Sequence, residues 1–357
     1  MKKVYCKIKR PSYARAHVSI PVSTPPCVPT PHYTILQLKS IFNYDLPDIL
    51  NMNMKELDIF LKTRGKYNNV YYKPWIVGLT DSIGKFKSYY NFNKSELITT
   101  LTLKVPKYQE SLIYKVENHI KGGNMSYIKS NKIYILQYKF SDPIILTNKI
   151  IPLFDEYPLL IESNRYQYDK LKSYLNIYNS DLSDENKLME YKLINNGIFN
   201  RTISPWNNIN INNIKSFNEI NEIVSKDWIT GYLEIEGNFT WNSKSKDKLI
   251  HNFHVYSESY DVITAIKLLF DINAKIRNRN KKYYIETTAT KSIVNMLEYF
   301  VSEKDTYYWV GKKYWEFTLW EKTYMLYKKD YRSNYEVMIR IREKINSERK
   351  RSNRTIE

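Results

Sequence analysis

Between residues 74 and 330 the apolar positions change period in a fixed order, and they do so twice. The first pass opens with a fully apolar-faced run, Trp75–Ser82, whose spacing predicts a helix of about two turns stopped by Gly84, where a left-handed cap is common. "GKFKSYYNFN" and "SELITTLTLKV" then alternate at period two with β-branched and aromatic residues, which predicts two strands. "YQESLIYKVENHI" returns to helical spacing. A Gly-turn opens the hairpin "GGNMSYIKSNKIYILQYKF", and "PIILTNKIIPLFDEYPLL" and "RYQYDKLKSYLNIY" close the unit as helices. The second pass repeats the order with "GYLEIEGNFTW", "HNFHVYSES", "YDVITAIKLLFDI", "AKIRNRNKKYYIETTA", "KSIVNMLEYFV" and "KYWEFTLWEKTYMLYKK".

The two openings align without a gap at an offset of 153 residues, Trp75, Gly78, Gly84 and Phe86 falling on Trp228, Gly231, Gly237 and Phe239. A glycine inside a helix costs about 1 kcal/mol. Two at equivalent positions, beside Val77 and Thr230, imply close backbone approach between the two repeated helices. The expected architecture is α+β, two similar units about an internal pseudo-two-fold axis in a monomer. The expected segments are a basic Pro-rich arm (1–45), a helical lead-in (46–73), the first unit (74–200), an Asn-rich linker (201–224), the second unit (225–330) and a basic tail (331–357). The arm holds no acid before Asp45 and reads equally as an extended arm or a transit peptide.

Charge narrows the class of partner. The 357 residues carry a formal net charge of +18, which points to polyanions, nucleic acid before an anionic membrane. No apolar run is long enough to span a bilayer. Cys6 and Cys27 lie outside the repeats and indicate neither a disulfide framework nor a zinc site. His251 and His254 read as residues of one strand, without metal-ligand spacing. Abundant Tyr, Asn, Lys and Ile, all with A/T-rich codons, suit an organellar gene, and a mitochondrial location is expected. The predicted strands carry Lys85, Lys87, Lys129, Lys132, Lys244, Lys246, Arg277, Arg279, Lys281 and Lys282 among aromatics, a candidate nucleic-acid face. The tail cations Arg340, Arg342, Lys344, Arg349, Lys350, Arg351 and Arg354 suit a phosphate-binding helix or tail.

"IVGLTDSIG" (76–84) and "ITGYLEIEG" (229–237), each with its downstream pattern, resemble the LAGLIDADG homing endonucleases and related intron maturases over roughly residues 70–330. The resemblance implies two pseudo-symmetric αββαββα units with the motif helices at the domain interface and the sheets set over nucleic acid. It also implies an acid at the eighth motif position of each helix, the pair holding divalent metal, Mg²⁺, for phosphodiester hydrolysis. Here those positions are Ile83 and Glu236. The implied catalytic and metal-binding residue is therefore Glu236 alone, because an isoleucine has no lone pair to offer. Asp81 and Glu234, at the sixth position, lie about 200° around the helix from the eighth and are expected to cap or to bond across the helix pair. Lys139 and Lys291 are candidates for the basic groups around such a site. Three functions follow. The chain binds its group I intron RNA as a maturase and/or its DNA target, with double-strand cleavage impaired; or it is an active homing endonuclease or nickase using Mg²⁺ and Glu236; or it is an organellar ribosomal protein recruited from this family.

Overall fold

The computed structural model describes residues 71–207, 211, 217–301 and 308–354. The expected arm, most of the lead-in and part of the Asn-rich linker lie outside the described residues. Tyr72 and Lys73, assigned to the lead-in from sequence, open the first motif helix.

In the first unit, helix α1 (Tyr72–Ile83) runs directly into strand β1 (Gly84–Asn91), which pairs with β2 (Glu96–Pro106). Helix α2 (Glu110–His119) and the hairpin β3 (Asn124–Ser130) and β4 (Ile133–Phe140) follow. Helical turns from Pro143 lead into α3 (Ile151–Glu156), then α4 (Glu162–Tyr178) and α5 (Asp184–Asn195). After α6 (Phe217–Ile223) the second unit repeats the plan: α7 (Lys226–Glu236), β5 (Gly237–Ser245), β6 (Lys248–Ser257), α8 (Tyr260–Leu269), β7 (Arg277–Arg279), β8 (Lys282–Thr287), α9 (Thr290–Phe300) and α10 (Lys313–Tyr327). The sheets have matching antiparallel orders, β1-β2-β4-β3 and β5-β6-β8-β7. The two pseudo-symmetric αββαββα units read from the sequence are therefore present.

Both motif helices are enclosed by protein, their few polar side chains buried with the apolar ones. Pro74 to Asp81 are all buried in α1, and Trp228 to Glu234 in α7. The two helices touch backbone to backbone. A Cβ on Gly78 would sit 2.0 Å from the Trp228 carbonyl oxygen, and one on Gly231 2.1 Å from that of Trp75. These reciprocal contacts relate residues 75 and 78 to 228 and 231 by the pseudo-two-fold. Two further bonds cross the pair. Asp227 accepts from the Tyr71 N–H at 3.0 Å, completing the first turn of α1, and Trp228 Nε1 donates to Asp81 at 3.1 Å.

Gly84 departs from the left-handed cap expected of it: its φ is −71° and ψ 140°, an extended residue that begins β1. Glycine stands there for space, because a Cβ would lie 2.5 Å from the Thr80 carbonyl oxygen as the chain turns off the helix. Gly237 is extended in the same way.

One core runs through both units, from Leu101, Leu136 and Phe154 to Phe253, Phe300 and Trp320. Within the segment read as a basic tail lies a docked helix, α11 (Tyr335–Arg354), which buries Met338, Ile341 and Ile345 in that core. Arg349 Nε donates to the buried Glu316 carboxylate at 2.7 Å, so this half-buried cation is committed to an internal acid. Tyr108 of the first unit donates its hydroxyl to the same carboxylate at 3.0 Å and its N–H to Asn353 at 2.8 Å. Helix α11 thus ties the second unit to the first. Lys313 and Arg349 hold the Glu316 carboxyl down at about 2 against the opposing effect of burial, so the cluster stays ionised. Within the linker segment, Trp206 is buried and donates to the Leu160 carbonyl at 2.9 Å.

Gly231→Ala is expected to cost ~3 kcal/mol or more, because the obstructing atoms are backbone and cannot rotate away. Chemical denaturation would measure it, and a midpoint like that of the parent protein would show that the helices do not meet this closely.

Candidate nucleic-acid interface

Strand alternation gives each sheet a helix-covered face and an open face. In β1, Phe86 and Ser88 are buried against the helices while Lys85 and Lys87 are exposed on the other side. Register carries that parity across the sheet: Lys85 lies opposite Thr102, Thr102 opposite Lys139, and Lys139 opposite Asn124. The next positions on the open face are Lys87 and Thr100 toward the sheet edge, and Lys104, Gln137 and Ser126 toward the end of α1. In the second sheet the equivalent rung is Asn238, His254 and Glu286, and the next is Tyr256, Tyr284 and Arg277. Arg279 and Lys282 pair at the end of the same face.

The structure gathers Lys85, Lys87 and Lys139 on one open face and Arg277, Arg279 and Lys282 on the other. It does not gather all the sequence candidates. Lys129 shares a side of β3 with Met125 and Tyr127, opposite the open-face Asn124 and Ser126, and its ammonium stands 5.5 Å from the centre of the Tyr134 ring. Lys132 and Lys281 occupy hairpin turns, with φ of 67° and 63°. Lys244 sits at a bulge between Ser243 and Ser245, and Lys246 in the turn after it. Lys291, in the first turn of α9, is ion-paired to Asp271. Sequence reasoning passed over Lys104, Asn238, Asn242, His254 and Glu286. Their period-two spacing from recognised positions was the available signal.

The second open face carries an organised polar group. Asn242 donates to Glu286 Oε1 at 2.8 Å, and the Tyr284 hydroxyl donates to Oε2 at 2.6 Å. Burial acts against the charged form of Glu286, but these donors outweigh it and hold the carboxyl below its ordinary value. His251 is on the opposite, covered side. It contacts Thr323 at 2.9 Å and Tyr331 at 3.0 Å, and burial lowers it to about 3, so it is a neutral packing residue.

At the helix ends the units differ. Glu236 closes α7, half-buried, with Lys282 Nζ 3.5 Å from its Oε1. Burial raises its carboxyl and Lys282 opposes that rise. Ile83 closes α1 and packs against the core. By register, Ile135 of β4 occupies the place that Lys282 takes in β8, so the first unit lacks both members of the charged pair. Among the described residues no group of three or more His, Cys, Asp or Glu could hold a metal ion. One carboxylate with an ammonium beside it does not fit a divalent ion bridged between the two helix ends.

The sixth-position acids are doing other things. Asp81 accepts from the Leu160 N–H at 2.8 Å and Ile161 N–H at 3.3 Å, at the entry to α4. Glu234 Oε1 accepts from Val310 N–H at 2.6 Å and Gly311 N–H at 3.0 Å, at the entry to α10. Each motif helix therefore holds the loop that starts its unit's closing helix. The symmetry is incomplete: Trp75 Nε1 and Glu234 Oε2, counterparts of the bonded Trp228 and Asp81 atoms, have no hydrogen-bond partner among the described residues.

Residues 76–175 match the family described as LAGLIDADG endonuclease. Over these residues the chain resembles that family. It is 24% identical over 288 residues to a probable intron-encoded endonuclease, Cox1-I1b, of Schizosaccharomyces pombe, covering 77% of this chain and 68% of that protein. It is 28% identical over 279 residues to the probable intron-encoded endonuclease aI3 of Kluyveromyces lactis, covering 71% of this chain and 65% of that one. The LAGLIDADG homing endonuclease I-GzeII, solved in complex with its DNA target, superposes with a TM-score of 0.57 at 24% identity, over 77% of this chain and 99% of that one. I-SmaMI, bound to uncleaved DNA target in the presence of calcium ions, superposes with a TM-score of 0.56 at 19% identity, over 76% and 98%. The LAGLIDADG fold thus accounts for both units, and its motif positions are those of α1 and α7. No helix among the described residues is long and apolar enough to cross a membrane.

Burial pushes Asp81 and Glu234 each up to about 7, from ordinary values of 3.8 and 4.5. A raised folded-state pKa means that the fold keeps a proton that the unfolded chain has released. Its stabilising contribution is whole below about pH 4 and is lost as the pH rises to about 7. The melting temperature is expected to fall across that window. Glu234→Gln, which keeps Oε1 for the two N–H groups, is expected to flatten the decline. A variant as pH-sensitive as the parent would show that Glu234 does not titrate there.

Proposed function

We propose that the protein binds a DNA target across the open faces of its two sheets and has lost double-strand cleavage. The observation that carries this reading is the split between the two parts of the site. Lys85, Lys87, Lys104, Lys139, Arg277, Arg279 and Lys282 are retained on the open faces, while the helix ends bring one acid where two are needed. Cations on a sheet neutralise phosphates and fix register on the duplex. Asn238, Asn242, His254 and Glu286 in the second unit, with Thr102, Gln137 and Asn124 in the first, supply donors and acceptors for base edges, which the major groove presents in distinguishable patterns. The solved relatives named for bound DNA targets support the choice of DNA.

Glu236 closes the second motif helix with a carboxylate that could ligate Mg²⁺, and hydrolysis of both strands would call on a second carboxylate at the end of the first, where Ile83 stands. A mitochondrial, intron-associated origin belongs to the same reading and rests on the names of the intron-encoded relatives. A second reading, retention of a structured intron RNA as a maturase, is favoured by the same loss, since Ile83 removes nothing from the basic faces.

Selection from randomised duplexes would supply the target. Binding to it is expected to weaken with salt at a log–log slope of about −6, and Arg277→Ala with Arg279→Ala to reduce that slope by about 2. A flat salt dependence would exclude the sheet faces, and tighter binding to intron RNA than to any duplex would favour the maturase. On a supercoiled plasmid carrying the target, with Mg²⁺, no linear product is expected. Ile83→Asp is expected to introduce or raise strand cleavage. Linear product from the unaltered protein would overturn the loss of cleavage.

A further inference from the structure

Helix α11 has a second face that neither its docking nor the sheets account for. Its core-facing residues, Met338, Ile341, Ile345 and Arg349, recur at the helical repeat. About half a turn away, Arg340, Lys344, Ser347, Arg351 and Arg354 fall on one outward stripe, within about 80° of arc and over about 21 Å of axis. Arg340, Arg351 and Arg354 are exposed and Lys344 is partly so; Lys350, exposed, adds a cation to one flank. Acids flank the stripe: Glu336 continues its line one turn before Arg340, Glu343 stands along its edge, and Glu348 forms an ion pair with Arg351 at 3.0 Å from the other side.

The stripe faces away from the open faces of the sheets. Tyr331, just before α11, contacts His251, which points to the covered side of β6, and the buried side of α11 belongs to the core that the covered faces share. The helix is also held firmly, by Arg349 on Glu316 and by Asn353 on the Tyr108 N–H. A rigid rod needs no ordering before it binds, which lowers the entropic cost of association.

We propose that the outward stripe of α11 holds the backbone of a second DNA duplex, on the side of the protein opposite the sheets. Cations in a straight row suit a regular, straight backbone. The stripe holds no aromatic ring on which unpaired bases could stack, which disfavours single-stranded nucleic acid. Ser347 is its one uncharged polar side chain, so contacts run to phosphate and carry little sequence information. The protein would then bridge two duplexes, one chosen by sequence and one by charge.

The test uses the full chain, saturated with its selected target duplex, and a short unrelated duplex carrying a different label. A complex containing both labels is expected by sedimentation, with a salt slope of about −3.5 for the second step. Arg340→Ala, Arg351→Ala and Arg354→Ala together are expected to weaken that step about tenfold or more and to leave the first within about twofold. Arg354→Glu, a single exposed change that does not threaten the fold, is expected to act in the same direction. Absence of the doubly labelled complex, or its undiminished formation by the triple variant, would overturn the proposal. So would preferential displacement of the second duplex by an RNA hairpin of equal length, which would assign the stripe to RNA. Removing Arg277 and Arg279 instead is expected to weaken only the first step, so failure at the sheets and failure at α11 are told apart.

Discussion

Two helix backbones in direct contact set the geometry of everything else. Gly78 lies on the Trp228 carbonyl and Gly231 on the Trp75 carbonyl, with no room for a side-chain carbon at either place. Because β1 leaves α1, and β5 leaves α7, with no intervening loop, the disposition of the helix pair is also the disposition of the two sheets. The open faces, the helix ends and their pseudo-symmetry all follow from that contact. The bonds that cross it, Tyr71 N–H to Asp227 and Trp228 Nε1 to Asp81, add direction to a contact that van der Waals packing alone would leave freer to slide.

The two acidic positions of the motif differ in structural duty. The sixth-position carboxylates are buried and accept backbone N–H groups from the loops that enter the closing helices. Removing either would leave buried donors unpaired, at about 1–3 kcal/mol for each. The eighth position carries no such structural duty. Ile83 packs against the core edge, and its neighbour by register, Ile135, is apolar too. The fold therefore tolerates the loss of the charged pair in one unit, while it could not lose Asp81 or Glu234 so cheaply.

How much of this was legible depended on range. Period-two alternation and an ungapped repeat are local signals, and they delivered the element order and both units. The need for glycine at residues 78 and 231 was legible because a helix-interior glycine asks for a reason. Gly84 was misread because a stopped helix and a helix that turns straight into a strand look alike in sequence. Lys129 falls on the other side of β3 from Asn124 and Ser126, a parity that only the register of the hairpin fixes. The partners of Asp81 and Glu234 lie 79 and 76 residues away at their nearest, beyond any local pattern. In the last helix, Met338, Ile341 and Ile345 stood at helical spacing, but a dense run of Lys and Arg masked them. Nothing in the run itself disclosed that Arg349 has a buried carboxylate waiting in α10.

The division of labour between binding and cutting explains why such a chain can keep one without the other. Affinity is spread over cations on two sheets, and each contributes a separable part of the counterion release. Losing one weakens the complex without abolishing it. Cleavage of both strands concentrates its requirement on two carboxylates from two different helices, so a single substitution removes it outright. A surface that decays gradually and a centre that fails at once will part company when only binding is maintained. On the proposed reading, the Glu236–Lys282 pair beside the apolar Ile83 and Ile135 is the state such a separation would leave: one half charged, the other apolar, and both held in place by the same pair of glycines.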